Sequence, residues 1–208
     1  MKKYSTILFD LDGTLTDSSQ GIINSIIYAL KKYDINVYDM TLLKKFLGPP
    51  LHESFEKFFG FDKEKSLQAV KYYREYFSTK GLLENEVYCG ITDLLQNLKE
   101  NGKTLIVATS KPQPFTDRIM EHFDLEKYFD FIAGSNMDTT RSKKAEVIEY
   151  ALSECNIIDK SSVIMVGDQT VGIDSIGVEY GYGTFDELKN AGATYIAKTV
   201  EELKSLLI

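Results

Sequence analysis

Short apolar runs that alternate with amphipathic stretches constrain this chain more than any other feature. Ile7-Leu8-Phe9, Leu105-Ile106-Val107-Ala108, Phe131-Ile132-Ala133, Val163-Ile164-Met165-Val166 and Ser175-Ile176-Gly177-Val178 carry the β-branched, aromatic and small side chains of strands buried on both faces. Helical patterns separate most of them. Pro112 to His122 follows the second run, and Lys143 to Ser153 follows the third, with Val147, Ile148, Ala151 and Leu152 on one face. This alternation predicts βαβ units, and therefore an α/β fold built on a parallel sheet covered on both sides.

The alternation stops between the first and second runs. Residues 16–88 contain no strand pattern and several amphipathic helices, which predicts a helical insert (16–88) in a core made of residues 1–15 and 89–208. Asp17 or Ser18 can cap a first helix carrying Ile22, Ile23, Ile26, Ile27 and Leu30 on one stripe, and Thr41 can cap a second. Gly48-Pro49-Pro50 breaks the chain, after which Leu51 to Phe59 and Asp62 to Lys80 resume helix. In the last of these, Tyr72, Tyr73, Tyr76 and Phe77 read as packing residues rather than a stacking platform.

Length and charge narrow the function classes. With 208 residues, 43% of them hydrophobic, the chain can bury a sizeable core with a smaller insert. A net charge of −7 and a pI near 5.0 argue against a nucleic-acid polymer or an anionic membrane as partner. No stretch approaches the roughly 18 apolar residues of a membrane helix, and Met1-Lys2-Lys3-Tyr4 leads straight into a strand. A soluble, cytoplasmic protein is the expectation, with Cys89 and Cys155 as free thiols because they lie far apart and lack metal-ligand spacing.

The chemistry concentrates where runs end. Asp10 and Asp12 flank Leu11 at the end of the first run, followed by Gly13 and Thr14, which let the backbone turn sharply. Hydrolysis of a phosphate ester needs a nucleophile, a proton donor for the leaving oxygen and cations to hold the developing charge. Asp10 can be the first and Asp12 the second, although a solvated Asx-turn or a calcium-binding loop uses the same residues. Thr109-Ser110-Lys111-Pro112 ends the second run ahead of a helix, which suits a phosphate site or a plain helix N-cap. Lys143 and Lys144 open the next helix, where the helix dipole disfavours a cation unless an anion binds there or the side chain is solvated. Gly167-Asp168 ends the fourth run, so Asp168 can be a Mg²⁺ ligand or an exposed turn residue.

Taken together these residues resemble a known family. Phe9-Asp10-Leu11-Asp12-Gly13-Thr14-Leu15, followed by Asp17-Ser18, is similar to the first motif of the haloacid dehalogenase-like phosphohydrolases, Thr109 to the second, Lys144 to the third and Gly167-Asp168 to the start of the fourth. The resemblance implies a Rossmann-like core, an inserted all-helical cap, Mg²⁺ and an aspartyl-phosphate mechanism. Within it the chain is similar to the phosphoglycolate phosphatase and 5′-nucleotidase-like group through Asn24-Ser25, Phe46 to Leu51, Tyr73-Arg74, Tyr76-Phe77, Val107 to Pro112 and Tyr180 to Gly183. By the resemblance, Asp10 is the nucleophile and Asp12 the general acid/base; Thr109, the Ser110 backbone and Lys144 hold phosphoryl oxygens; Asp10, Asp168 and the Asp12 carbonyl bind Mg²⁺. It implies a small phosphorylated metabolite as partner, of the phosphoglycolate or nucleoside monophosphate class, bound by a monomer or homodimer. A sugar phosphomutase and a catalytically impaired binding or regulatory protein are the competing readings.

The fourth motif departs from the family pattern. The family places a second acidic residue one helical turn after the first and then continues through a helix, whereas here Gln169-Thr170-Val171-Gly172 follows Asp168 and Ile173-Asp174-Ser175-Ile176 already resembles the next strand. Roughly eight residues, about two helical turns, are lacking. Either the connection is truly short, or a stretch of the natural chain is absent from this sequence. A true deletion predicts weakened Mg²⁺ binding and reduced turnover.

Overall fold

A computed structural model describes residues 4–138, 140–167 and 172–208. The chain forms two compact units, one of residues 1–17 and 87–208 and one of residues 18–86. The first holds a six-stranded sheet of β1 (Thr6–Phe9), β4 (Thr104–Pro112), β5 (Phe131–Ser135), β6 (Val163–Val166), β7 (Asp174–Val178) and β8 (Tyr195–Ala197), in the order β5-β4-β1-β6-β7-β8. Every neighbouring pair is parallel. The fold is the Rossmann-like α/β core of the expectation, with a helical insert. The short strands β2 (Thr16–Asp17) and β3 (Glu86–Val87), where the sequence showed no strand pattern, lie where the chain leaves and re-enters this unit.

Burial explains why the apolar runs became strands. Ile7, Leu8 and Phe9 are fully buried, and Leu8 sits beside Ile106 on one side and Met165 on the other. Helix α7 (Lys144–Glu154) lays Val147, Ile148, Ala151 and Leu152 against Leu8, Ile106, Ala108, Ala133 and Met165. Burying each of its three larger aliphatic side chains contributes about 2 kcal/mol. β8 escaped the sequence reading because its apolar run is only Tyr195-Ile196-Ala197, on the sheet edge. β6 and β7 pair in register, Val166 beside Ile176, with only residues 167–173 between them. The short connection after Asp168 falls on residues 168–171, which lie outside the described residues.

Chain order places β1 between β4, which follows it in the sheet's first half, and β6, which starts the second half. That reversal is the switch point where open α/β sheets bind ligands beyond the carboxyl ends of their strands.

The helical unit comprises α1 (Ser19–Lys31), α2 (Met40–Lys44), α3 (Leu51–Phe59) and α4 (Lys63–Tyr76). Two capping expectations need correction. Ser18 occupies the first N-cap but its side chain makes no capping bond, and α2 is capped by Asp39, whose carboxylate accepts from the Thr41 and Leu42 N–H groups, rather than by Thr41. The last helix stops being α-helical at Tyr76 and continues as a wider π turn, Phe77–Gly81. That turn sits backbone to backbone on α1: a Cβ on Gly21 would fall 1.9 Å from the Gly81 carbonyl oxygen. Tyr73 and Phe77 are buried and stacked at 5.3 Å, which makes them packing residues. Among the described residues no helix is long and apolar enough to cross a membrane. Cys89 and Cys155 are free thiols.

Candidate active site

The site begins as a backbone device. Asp10 leaves β1 with its N–H still donating to Val166 O (2.9 Å), and the carbonyl of Leu11 then accepts from Thr14, Leu15 and Thr16 at 2.9 to 3.2 Å. Gly13 takes a positive φ of 75° to allow this tight loop. A second loop clamps it from outside. The Tyr180 hydroxyl donates to Thr14 O (3.1 Å), and a Cβ on Gly181 would lie 1.9 Å from Gly13 O, so only glycine permits that approach. Tyr180 packs edge-on against Tyr88 at 5.0 Å. Burial pushes both phenols well above their ordinary range, helped at Tyr88 by the charges of Asp17 and Asp12 and at Tyr180 by Tyr88. Both stay neutral, and Tyr180 keeps its proton to donate to the turn.

Within this turn both carboxylates meet lysines. Lys144 Nζ lies 2.5 Å from Asp10 Oδ2 and donates to Ala108 O (3.3 Å), so one ammonium bridges the end of β1 and the point where β4 begins to bulge. Its side chain is 2% exposed, against 10% for Asp10. Asp10 Oδ1 accepts from the Leu11 N–H at 2.8 Å. Asp12 points both oxygens at Lys111 Nζ, at 2.9 and 2.7 Å. The Lys144–Asp10 pair is buried on both sides, and such a pair costs desolvation that neither partner recovers alone, so removing one partner leaves the other severely destabilised.

The end of β4 overturns one expectation. Thr109 and Ser110 do not cap a helix: β4 runs on through Pro112, and α6 (Gln113–His122) follows with Pro112 at its N-cap and no side-chain capping bond. The reason is a bulge. Ala108 pairs with Ala133, but Pro112 pairs with Ser135, so β4 spends two more residues than β5 over the same span. The Gln113 side chain fills the interrupted ladder, donating to Ile132 O (3.3 Å) and accepting from Gly134 N–H (2.6 Å). Arg141 adds two donations to Gly134 O while its guanidinium lies 3.8 Å from the Tyr150 ring centroid. The bulge leaves Thr109 and Lys111 buried and turns Ser110 outward.

Of the six residues singled out in the sequence, the structure brings Asp10, just past β1, against Lys144, at the start of α7, beside the stretch of β4 that carries Thr109, with Asp12 two residues beyond Asp10. Ser110 contributes its backbone there, its carbonyl accepting from Ser135 (2.8 Å). Asp168 lies outside the described residues. Sequence reasoning gave no role to Lys111, Gln113 or Tyr180. The signal for Lys111 was available, since two-residue spacing in a strand puts it on the face of Thr109.

The donor set suits a hard divalent cation. Asp10 and Asp12 offer carboxylate and carbonyl oxygens, and Gly167 keeps room beside Asp10, because a Cβ there would fall 3.0 Å from Asp10 Cβ. Among the described residues no three His, Cys, Asp or Glu side chains form a metal cluster.

Comparison with known proteins agrees with this geometry. The family model described as haloacid dehalogenase-like hydrolase matches residues 7–177. A 5′-nucleotidase of Pseudomonas aeruginosa is 40% identical, over 99% of this chain and 96% of its own length. The tyrosine-protein kinase PtkA of Mycobacterium tuberculosis is 36% identical over 97% of this chain and 72% of its own. The crystal structure of a predicted phosphatase from Clostridium acetobutylicum superposes with a TM-score of 0.93 at 48% identity, covering 99% of both chains.

Proposed function

This chain belongs to the haloacid dehalogenase-like hydrolases, and from that premise we propose that it is a Mg²⁺-dependent phosphomonoesterase working through an aspartyl phosphate on Asp10. Its substrate is a small phosphorylated metabolite of the phosphoglycolate or nucleoside monophosphate class; the name of the Pseudomonas relative supports the second. The observation that carries the reading is the 2.5 Å contact of Lys144 with Asp10 at the switch point of the sheet.

In the first step an Asp10 carboxylate oxygen attacks phosphorus, the bond from phosphorus to the leaving oxygen breaks, and Asp12 gives that oxygen its proton. In the second, Asp12 takes a proton from water as the water oxygen attacks phosphorus, the Asp10–phosphorus bond breaks and inorganic phosphate leaves. Thr109 and Lys144 hold the phosphoryl oxygens throughout: the Thr109 hydroxyl oxygen accepts from the Lys111 N–H at 3.2 Å, which leaves its proton to donate. Lys144 screens the negative charge of nucleophile and phosphoryl group as they approach. Asp10, the Asp12 carbonyl and Asp168 would hold Mg²⁺, which when bound neutralises charge on the phosphoryl oxygens.

Phosphate release from a panel of phosphomonoesters tests this reading. We expect Mg²⁺-dependent turnover that disappears in Asp10→Asn; turnover retained by that variant refutes the nucleophile assignment. Free phosphate as the product also separates hydrolysis from transfer to a sugar or to a protein tyrosine.

A further inference from the structure

We propose that Lys111 is a positioning residue for the reaction, holding the Asp12 carboxylate in the orientation from which it delivers and collects protons. The inference rests on the phosphatase reading above and adds to it a residue that the sequence motifs leave without a role.

Four observations support it. Lys111 Nζ contacts both Asp12 oxygens, at 2.9 and 2.7 Å, so the ammonium fixes the rotation of the carboxylate as well as its place. Its side chain is only 5% exposed while that of Asp12 is 24% exposed, which puts the rigid partner inside and the reacting group at the opening. The Lys111 backbone is itself pinned at both ends: its N–H donates to Thr109 Oγ1 (3.2 Å) and its carbonyl accepts from Thr116 Oγ1 (3.3 Å). Finally, a Cβ on Gly134 would lie 2.8 Å from the Lys111 carbonyl oxygen, so β5 leaves the space in which the bulge seats this lysine.

A proton donor misaimed by about 1 Å can lose roughly 100-fold in rate, so the aim of the Asp12 carboxylate matters. Exposed lysine–carboxylate pairs rarely achieve such control, because both side chains retain their solvent freedom. Burial of the ammonium on a doubly pinned backbone removes that freedom here. Thr109 therefore has two tasks, one through its hydroxyl proton toward phosphate and one through its oxygen toward Lys111.

A positioning role through Asp12 predicts a pattern that a purely structural role does not. Proton donation matters most when the leaving oxygen is a poor leaving group. In Lys111→Met, kcat/KM for phenyl phosphate is expected to fall by roughly 30-fold or more, a large share of the roughly 10²–10⁴-fold that general acid–base catalysis supplies, while kcat/KM for 2,4-dinitrophenyl phosphate changes less than about threefold. In an Asp12→Asn background the same substitution should add nothing further for phenyl phosphate. Fluoroberyllate binding with Mg²⁺, followed by fluorine NMR, should persist in Lys111→Met and so report an intact Asp10 site. Equal losses for the two esters, or a full additional loss on top of Asp12→Asn, would overturn the proposal. If Lys111→Met does not fold, Lys111→Gln is read in the same way. Activity retained by Asp10→Asn sinks the phosphatase reading instead, so the two failures are distinct.

Discussion

At its N-terminal end β4 meets a lysine–aspartate pair, Lys99–Asp130, whose side chains are 33% and 42% exposed; at its C-terminal end it supplies Lys111, 5% exposed against Asp12. Both contacts are close, at 2.8 and 2.7 Å. Distance therefore does not distinguish them. What differs is the backbone behind each lysine and the water around it. Lys99 reaches out from α5 (Ile91–Glu100) to a carboxylate that also accepts from Leu105 N–H (2.9 Å), which staples the start of β4 to the start of β5. Lys111 is carried on a bulge whose N–H, carbonyl and neighbouring ladder are all satisfied by other side chains. One end of the strand uses an ion pair to tie elements together, and the other uses it to aim a reactive group.

The largest effect is expected at the most buried of the lysine–carboxylate pairs, Lys144 with Asp10. Lys144→Met removes the cation 2.5 Å from Asp10 and leaves a buried carboxylate without it. We expect turnover to fall by about 10²–10³-fold, as for other lost electrostatic stabilisers, and unfolding to cost about 3–5 kcal/mol less. Steady-state kinetics and chemical denaturation check the two numbers separately; near-normal kcat would show that Lys144 is structural only. A smaller effect is expected from Gly181→Ala. The added Cβ would meet Gly13 O at 1.9 Å, and backbone cannot yield as a flexible side chain does. Overpacking of that kind costs about 1–3 kcal/mol, a fall in Tm of roughly 2–12 °C, and because the strain falls on the turn that carries Asp10 and Asp12, kcat should drop with it. Unchanged kcat in a destabilised Gly181→Ala would separate the clamp from the chemistry.

How much of this could be read in advance depends on how local each signal is. The strands at 7–9, 105–108 and 163–166 were legible because each is a contiguous apolar run, and Asp10 and Asp12 because they end one of those runs. The cation beside Asp10 was legible only through resemblance: nothing in a Lys143-Lys144 pair says which one turns inward, and the structure buries Lys144. The end of β4 was misread because a helix start and a bulged strand end share the same polar residues, Thr109 and Ser110. The choice between them is made by the contact of Gln113 with Gly134, which lies 21 positions further along the chain and meets it only once β5 is in place. The role of Gly181 was likewise invisible, since its constraint comes from the Gly13 carbonyl 168 positions earlier in the chain.

The smallest expected effect is at the other end of β4, and it is the one that tests whether exposure rather than distance sets the difference. Burial pushes the Asp130 carboxyl up, but the Lys99 ammonium and the Leu105 N–H outweigh it and hold the group below the usual carboxylate range. A carboxyl that is more acidic in the folded state contributes stability above its unfolded pKa of about 4, and that contribution fades as pH falls through the lower folded value. Asp130→Asn should thus lower stability at neutral pH by less than about 1 kcal/mol, because both partners are substantially solvated, and should flatten the decline of Tm with acidification below about pH 4. Turnover at saturating substrate should stay within about twofold of the parent. If Asp130→Asn instead cost as much stability as Lys111→Met, contact distance alone would govern these pairs, and the contrast between the two ends of β4 would collapse.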